Sequence, residues 1–225
     1  MDTVRPFTDR AAISTYAEDT PRRVPGYADL HRMTMLLLAE RAPPVADILV
    51  YGAGGGLEIK ALAEAQPGWR FVGIDPSAEM LDLARDVLRP LDNAATLIQG
   101  YIADAPQGPF DGATCLLTLH FLHREERLEV LHDIRRRLKP GAAFVIAHHS
   151  CPDGSDPRRW LARSVAFADR SAPDLAKASA SAEMLMSRLP ILSSDGEEAL
   201  LRQAGFREIT LFYAAFSFRG WVATA

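Results

Sequence analysis

Ile48-Leu49-Val50-Tyr51-Gly52-Ala53-Gly54-Gly55-Gly56-Leu57, followed one helix-length later by Arg70-Phe71-Val72-Gly73-Ile74-Asp75, is the stretch on which the fold turns. The first four residues are a short apolar run, the glycines interrupt it, and Leu57 to Gln66 reads as a helix halted by Pro67-Gly68. Arg70 to Ile74 reads as a second strand closed by Asp75. A strand that enters a glycine turn and leaves as a helix brings bare backbone to the sheet's carboxyl end, where a Cβ would block a ligand. Gly52, Gly54 and Gly56 supply that clearance. A dinucleotide loop wants its last glycine one place later, for helix packing, and that place is Leu57. The spacing therefore favours S-adenosyl-L-methionine over NAD, with Asp75 placed to accept both ribose hydroxyls.

Outward from this unit the chain alternates. Upstream, Tyr27, Leu30, Met33 and Leu37 recur at helical spacing until Pro43-Pro44. Downstream, Met80, Leu81, Ala84 and Leu88 mark a helix, Ala95 to Gln99 a third strand and Ala113 to Leu119 a central one. Leu128, Leu131 and Leu138 share a face of the next helix, which stops at Pro140-Gly141 before a strand over Ala143 to His148. Arg158 to Leu189 reads as largely helical. Ser194-x-x-Glu197 reads as the capping box of a last helix, Gly205 as its stop, and Phe206 to Tyr213 and Phe216 to Ala223 as an antiparallel pair. The expected fold class is α/β: a Rossmann-like, seven-stranded, mostly parallel sheet with a C-terminal antiparallel hairpin. Residues 1–225 form one domain in this reading, with an N-terminal helical cap over about 1–42 and a helical insertion over about 157–190.

Bulk properties agree with one soluble core. The chain has 225 residues, 48% hydrophobic and 24% charged, with a net charge of -4. Nothing in that balance calls for nucleic acid or an anionic membrane. Asp2, Arg5, Asp9 and Arg10 occupy the start in place of an apolar signal core, no run is long enough to span a bilayer, and Cys115 and Cys151 are the only cysteines. These features point to a reducing cytoplasm, no disulfide framework and no structural metal.

At this level of detail the chain resembles the class I methyltransferases and, among them, the carboxy-S-adenosyl-L-methionine synthases of tRNA wobble-uridine modification. The likeness runs from about Val24 to Ala223. It is carried by Val24-Pro25-Gly26-Tyr27, Leu38-Ala39-Glu40-Arg41, Gly73-Ile74-Asp75, Thr118-Leu119-His120-Phe121-Leu122, Leu138-Lys139-Pro140-Gly141-Ala142 and Gln203-Ala204-Gly205-Phe206. The resemblance implies that Tyr27 closes over S-adenosyl-L-methionine, and that the backbone of Gly52, Ala53 and Gly54 faces its methionine part. It also implies that Asp75-Pro76 contacts ribose and adenine, that Ile102 holds adenine through its N–H, and that the protein is a homodimer. Four positions depart from the family: Val50 replaces an acid, Tyr101 an adenine-binding aspartate, Leu116 an asparagine, and Leu200 the arginine that receives the extra carboxylate of the carboxylated cofactor. Tyr101 is suited to stacking on adenine instead.

His120 is the candidate catalytic residue, since it follows the central strand at the ligand-binding edge. His148, His149 and Cys151 invite a metal, but adjacent strand residues point to opposite faces, so no metal is expected. Arg135-Arg136-Arg137 and Lys139 suit a solvated helix end better than an RNA surface. Met184, Leu185, Met186 and Leu189 read as packing, and Trp160 and Phe167 read first as ordinary helix packing, with the walling of an acceptor pocket as the alternative. The leading expectation is a methyltransferase acting on a small molecule that the sequence does not name. Its rivals are a carboxy-S-adenosyl-L-methionine synthase-like enzyme and a noncatalytic binding protein on a decayed methyltransferase fold, with an NAD oxidoreductase last.

Overall fold

The computed structural model describes residues 13, 15–91, 94–169 and 174–225. The start of the expected N-terminal cap, 1–12 and 14, and positions 170–173 of the expected insertion lie outside them. Seven strands form one sheet: β1 Ala46–Tyr51, β2 Trp69–Asp75, β3 Ala95–Gln99, β4 Phe110–Leu116, β5 Leu138–His149, β6 Arg207–Ala215 and β7 Phe218–Thr224. Their order is β3-β2-β1-β4-β5-β7-β6. β1 to β5 run parallel, and β7 inserts antiparallel between β5 and β6. The strand order reverses beside β1, so its carboxyl end and that of β4 flank the natural crevice of an open α/β sheet.

The helices are α1 Tyr16–Arg23, α2 Tyr27–Ala39, α3 Leu57–Ala65, α4 Ala78–Leu88, α5 Arg124–Arg135, α6 Pro157–Ala168, α7 Leu175–Met186 and α8 Ser194–Gln203. They cover both faces of the sheet, which explains why β4 is buried along its whole length. One core packs Leu49, Cys115, Ile146, Leu200 and Trp221, and the other packs Ile48, Val50, Leu116 and Val145.

Several boundaries differ from the sequence reading. β4 begins and ends three residues earlier than expected, and Leu119–Phe121 is a 3-10 turn. Leu138 belongs to β5, because α5 ends at Arg135 and Pro140-Gly141 lies inside the strand. Gly141 has φ +81°, and its N–H donates to Ala225 O at 3.0 Å. The cap of α8 is Ser193, whose hydroxyl accepts the Gly196 N–H at 3.3 Å. Glu197 is thereby released from capping and lies 2% exposed.

Glu197 instead joins the best-buried charges of the chain. It pairs with Arg127, which is itself fully buried and also donates to Leu122 O at 2.9 Å and to Pro190 O. His148 Nε2 lies 3.0 Å from the same Glu197 oxygen. Burial alone would raise the Glu197 carboxyl, but His148 and Arg127 hold it below its ordinary value. The cluster ties α5, α8, β5 and the segment after α7 together. Removing one partner strands a buried charge, so Arg127→Ala should lose about 3–5 kcal/mol. Urea unfolding of wild type and variant measures this, and a loss below about 1 kcal/mol, the range of surface pairs, would refute it.

Candidate functional site

The glycine loop is folded back onto β2 by its own backbone. Gly52 N–H and Ala53 N–H both donate to Ile74 O, at 2.8 and 2.9 Å, and Gly54 N–H donates to Asp75 Oδ2 at 2.9 Å. Asp75 Oδ1 takes Ser77 N–H at 2.9 Å. Burial raises the Asp75 carboxyl, and the two N–H groups work against the rise. Each carboxylate oxygen keeps acceptor capacity beyond the bond it makes.

The loop needs its glycines for space as well as conformation. Gly52, Gly54 and Gly56 all have positive φ. A Cβ at Gly52 would stand 2.0 Å from Thr118 Oγ1, and one at Gly56 would stand 3.0 Å from Ala84 Cα and Cβ, setting how closely α3 meets α4. Thr118 is held by its own bond to Leu116 O at 3.0 Å, just after Leu117 takes a left-handed φ of 58°. Gly52 and Gly141 have nearly equal φ, +82° and +81°, but nothing lies within 4 Å of a Cβ at Gly141. Their alanine variants share the backbone strain, so their difference isolates the contact with Thr118. Gly52→Ala should lose about 1–3 kcal/mol more than Gly141→Ala. Equal losses in unfolding experiments would show the approach to be unimportant.

Two residues the sequence reading passed over complete the site. Tyr16 of α1 lies on the loop: Cβ atoms at Gly54 and Gly55 would both meet its ring or hydroxyl at 3.1 Å. Burial pushes its phenol up to about 12, with the charges of Asp75 and Glu58 adding to the rise. Nothing in the sequence marked this tyrosine. Glu58 stands in the first turn of α3, where an acid is normally a solvated partner of the helix dipole. Here it is 6% exposed, and burial pushes its carboxyl up to about 7. The Thr114 hydroxyl opposes the shift, but neither it nor Glu58 Oε1 completes a hydrogen bond.

The folded-state value of Glu58 lies above its ordinary 4.5, so folding favours the protonated acid. That stability is complete below about pH 4.5 and drains away as pH rises through about 7. Glu58→Gln abolishes the dependence. Between about pH 5 and pH 8 the variant should gain about 2–3 kcal/mol relative to wild type. Parallel urea titrations that keep a constant difference would show Glu58 to be ordinary.

The expected site residues are distributed as follows. Gly52, Ala53, Gly54 and Asp75 converge, with Pro76 next in line, and Pro76 O accepts from Gln99 at 3.4 Å. Tyr101 and Ile102 begin the 3-10 turn after β3, Ile102 being buried and Tyr101 N–H donating to Asp104 Oδ2 at 2.8 Å. Leu116 is buried at the end of β4. Tyr27 is 9% exposed, packs its ring edge on His31 at 4.3 Å, and lines a groove with Pro21, Val24 and Phe167. Tyr16 supplies an aromatic ring in contact with Gly54 and Gly55, and Tyr27 lies close enough to feel the charges of Tyr16 and Glu58. Leu200 is fully buried in the core, and Arg202 is paired with Glu198 at 2.5 Å on the exposed face of α8. The basic run is structural: Arg137 is buried, Arg135 caps Gly205 O at 2.9 Å, and Arg136 and Lys139 pair with Asp133 and Asp111.

The turn that follows β4 carries His120 two residues beyond Thr118 and opens onto a cavity of about 1070 Å³ lined by His120 and Phe121. Phe121, Val165, Leu185, Leu189 and Phe218 are among its apolar walls, His120 and Ser164 its buried polar groups, His149 a half-buried one, and Arg23 and Arg188 its exposed ones. Leu185 and Leu189 thus do more than pack. Trp160 is absent from the described lining and takes the Arg163 guanidinium 4.4 Å over its ring, while Phe167 serves the Tyr27 groove.

His120 Nδ1 accepts the His149 N–H at 3.3 Å, which leaves the proton of the neutral ring on Nε2. Burial, then the charges of His149, His148 and Arg127, push His120 well below its ordinary value. Burial pushes His149 down to about 3, with the His148 charge adding to it. His149 Nδ1 meets Ser217 Oγ at 2.8 Å, and Ser217 Oγ meets Ser164 Oγ at 2.6 Å. His148, on the opposite face of β5, belongs to the Glu197 cluster. Among the described residues no group of His, Cys, Asp and Glu could hold a metal.

Comparison with known proteins agrees with this geometry. A methyltransferase domain model matches residues 48–141, from β1 to the start of β5. Over that stretch the chain is similar to methyltransferase domains. Carboxy-S-adenosyl-L-methionine synthase of Erwinia tasmaniensis is 29% identical over 96% of this chain and 90% of its own. The protein of that name from Klebsiella pneumoniae is 25% identical over 96% and 90%. Human N-acetylserotonin methyltransferase, solved with S-adenosylmethionine, superposes with a TM-score of 0.60 at 16% identity, over 96% of this chain but 59% of that one. Magnesium protoporphyrin IX methyltransferase of Synechocystis PCC 6803 gives 0.61 at 17% identity, over 88% of this chain and 79% of that one. These two superpositions show that the chain shares their fold. The chain spans little more than half the length of several of the solved chains it matches.

Proposed function

We propose that this chain is an S-adenosyl-L-methionine-dependent methyltransferase that acts on a small molecule. The observation that carries the reading is the bond from Gly54 N–H to Asp75, which fixes a half-buried carboxylate beside a glycine-rich loop, with Thr118 linking that loop to the turn that lines a large apolar cavity. The residues present fit the cofactor, because the loop leaves space that a Cβ would fill and Asp75 retains acceptor capacity for two ribose hydroxyls. Gly52 to Gly54 would border its methionine part, Pro76, Tyr101 and Ile102 its adenine, and Tyr16 the outer side of the loop. When bound, the cofactor supplies an electrophilic methyl group on a sulfonium. The protein's share is positioning: the turn after β4 holds Thr118 against the loop and His120 toward the cavity, so that donor and acceptor sites adjoin. The cavity walls exclude water from the transfer.

The relatives' name offers a second reading, synthesis of the carboxylated cofactor. The burial of Leu200 and the outward ion pair of Arg202 weigh against it. A cytoplasmic location is supported by two free, buried cysteines. A homodimer is supported by the resemblance and by exposed apolar residues such as Leu36, Val45 and Leu211.

Titration calorimetry tests the reading. S-adenosylmethionine and S-adenosylhomocysteine should both bind, and Asp75→Ala should weaken them about 10- to 100-fold, as loss of hydrogen bonds to a charged group implies. No heat with either ligand at about millimolar concentration, where weak complexes are still detected, would refute it, as would a tight complex with NADH.

A further inference from the structure

Methyl transfer to a hydroxyl or amine needs a group that accepts the acceptor's proton, and such a base works best with a proton affinity near the operating pH. The described lining of the cavity holds no carboxylate, lysine, tyrosine or cysteine. Its two imidazoles are poor substitutes. His120 Nδ1 is occupied by the His149 N–H, and both rings are held neutral by burial and neighbouring positive charge. The Ser217 and Ser164 hydroxyls bond to His149 and to each other, adding no base. A nucleophile in this cavity must therefore arrive without a proton to lose.

The charges at the opening decide which nucleophile that is. Arg188 is exposed and has no ion pair among the described residues, and Arg23 has only an exposed pair with Asp19 at 3.4 Å. Asp19 partly balances Arg23, but no acid in the described lining balances Arg188, which attracts anions and repels cationic amines. Farther in, His120 Nε2–H is a donor beside apolar walls. We propose that the cavity takes an apolar carboxylic acid in its ionised form and that the enzyme methylates one carboxylate oxygen. The inference rests on the methyltransferase reading and names its acceptor class. His120 Nε2–H and the arginine field hold the anion, and one carboxylate oxygen attacks the methyl carbon. The new C–O bond forms as the C–S bond breaks, its electron pair passes to sulfur, and the products are a methyl ester and a neutral thioether. No proton moves.

The experiment compares 2-naphthoate, decanoate, 2-naphthamide and 2-naphthol by calorimetry on the full chain saturated with S-adenosylhomocysteine. Naphthoate should bind about tenfold more tightly than the isosteric amide, the margin of a charge-assisted contact. Arg188→Gln should bring the two within about threefold, since it removes a cavity charge without touching the apolar walls. With S-adenosylmethionine supplied, mass spectrometry should find the methyl ester of an acid and no methyl ether of naphthol. Equal binding of acid and amide, failure of both acids to bind, or ether without ester would each overturn the proposal. Absence of heat with S-adenosylhomocysteine alone would instead remove the methyltransferase reading beneath it.

Discussion

Three consecutive N–H groups, those of Gly52, Ala53 and Gly54, bend the loop after β1 back onto the last two residues of β2. Their donors are thereby spent inside the protein, so the loop offers a ligand shape and little hydrogen bonding. Asp75 gains what the loop gives up. With one N–H on each oxygen, its carboxylate is fixed in orientation, and those bonds offset part of the cost of burial. The same bend aims α3 across the sheet, where Gly56 lets it approach α4 at Ala84 and where Glu58 is carried under the neighbouring strands. Architecture and binding surface therefore follow from one backbone turn.

Much of this was legible in the sequence because it depends on local chemistry. Glycine at positive φ, the acid that closes β2, and the apolar run of β4 declare themselves through residue type and period. The terminal hairpin was readable because two strands joined so closely can pair only antiparallel. Other features are set by tertiary neighbours and left no local trace. Leu138 resembled one more turn of an amphipathic helix, yet Arg127, buried on the same helix, shows that the inner face of α5 is partly built from charge. Glu197 had the spacing of a capping box, and the pull of Arg127 and His148 placed it elsewhere. Tyr16 reads as an unremarkable aromatic until the chain folds it over Gly54 and Gly55.

The four departures from the family pattern can now be placed physically. Val50 and Leu116 both belong to the apolar core on the face of the sheet where Glu58 is buried beside Thr114, which pairs in register with Val50. A carboxyl group is thus present near the missing strand acid, carried by the helix instead of the strand. Leu200 lies in the core and offers no charge, while Arg23 and Arg188 bring positive charge to the mouth of the neighbouring cavity. The resulting distribution of charge differs from the one that the resemblance implies.

The alternation of β5 connects the two halves of that redistribution. His148 faces the core and meets Glu197, whereas His149, one residue on, faces the cavity and stacks on Phe218 at 4.1 Å. His120 lies close to both, with ring centroids 6.3 Å from His148 and 4.8 Å from His149. Arg127 and His148, which hold the Glu197 cluster together, also lie near enough to disfavour a proton on His120. Burial does most to keep the inner surface of the cavity neutral, and the cluster that stabilises the fold adds to it. In a wall of low polarity such an influence is weakly screened, so the two functions are electrostatically linked across a single strand.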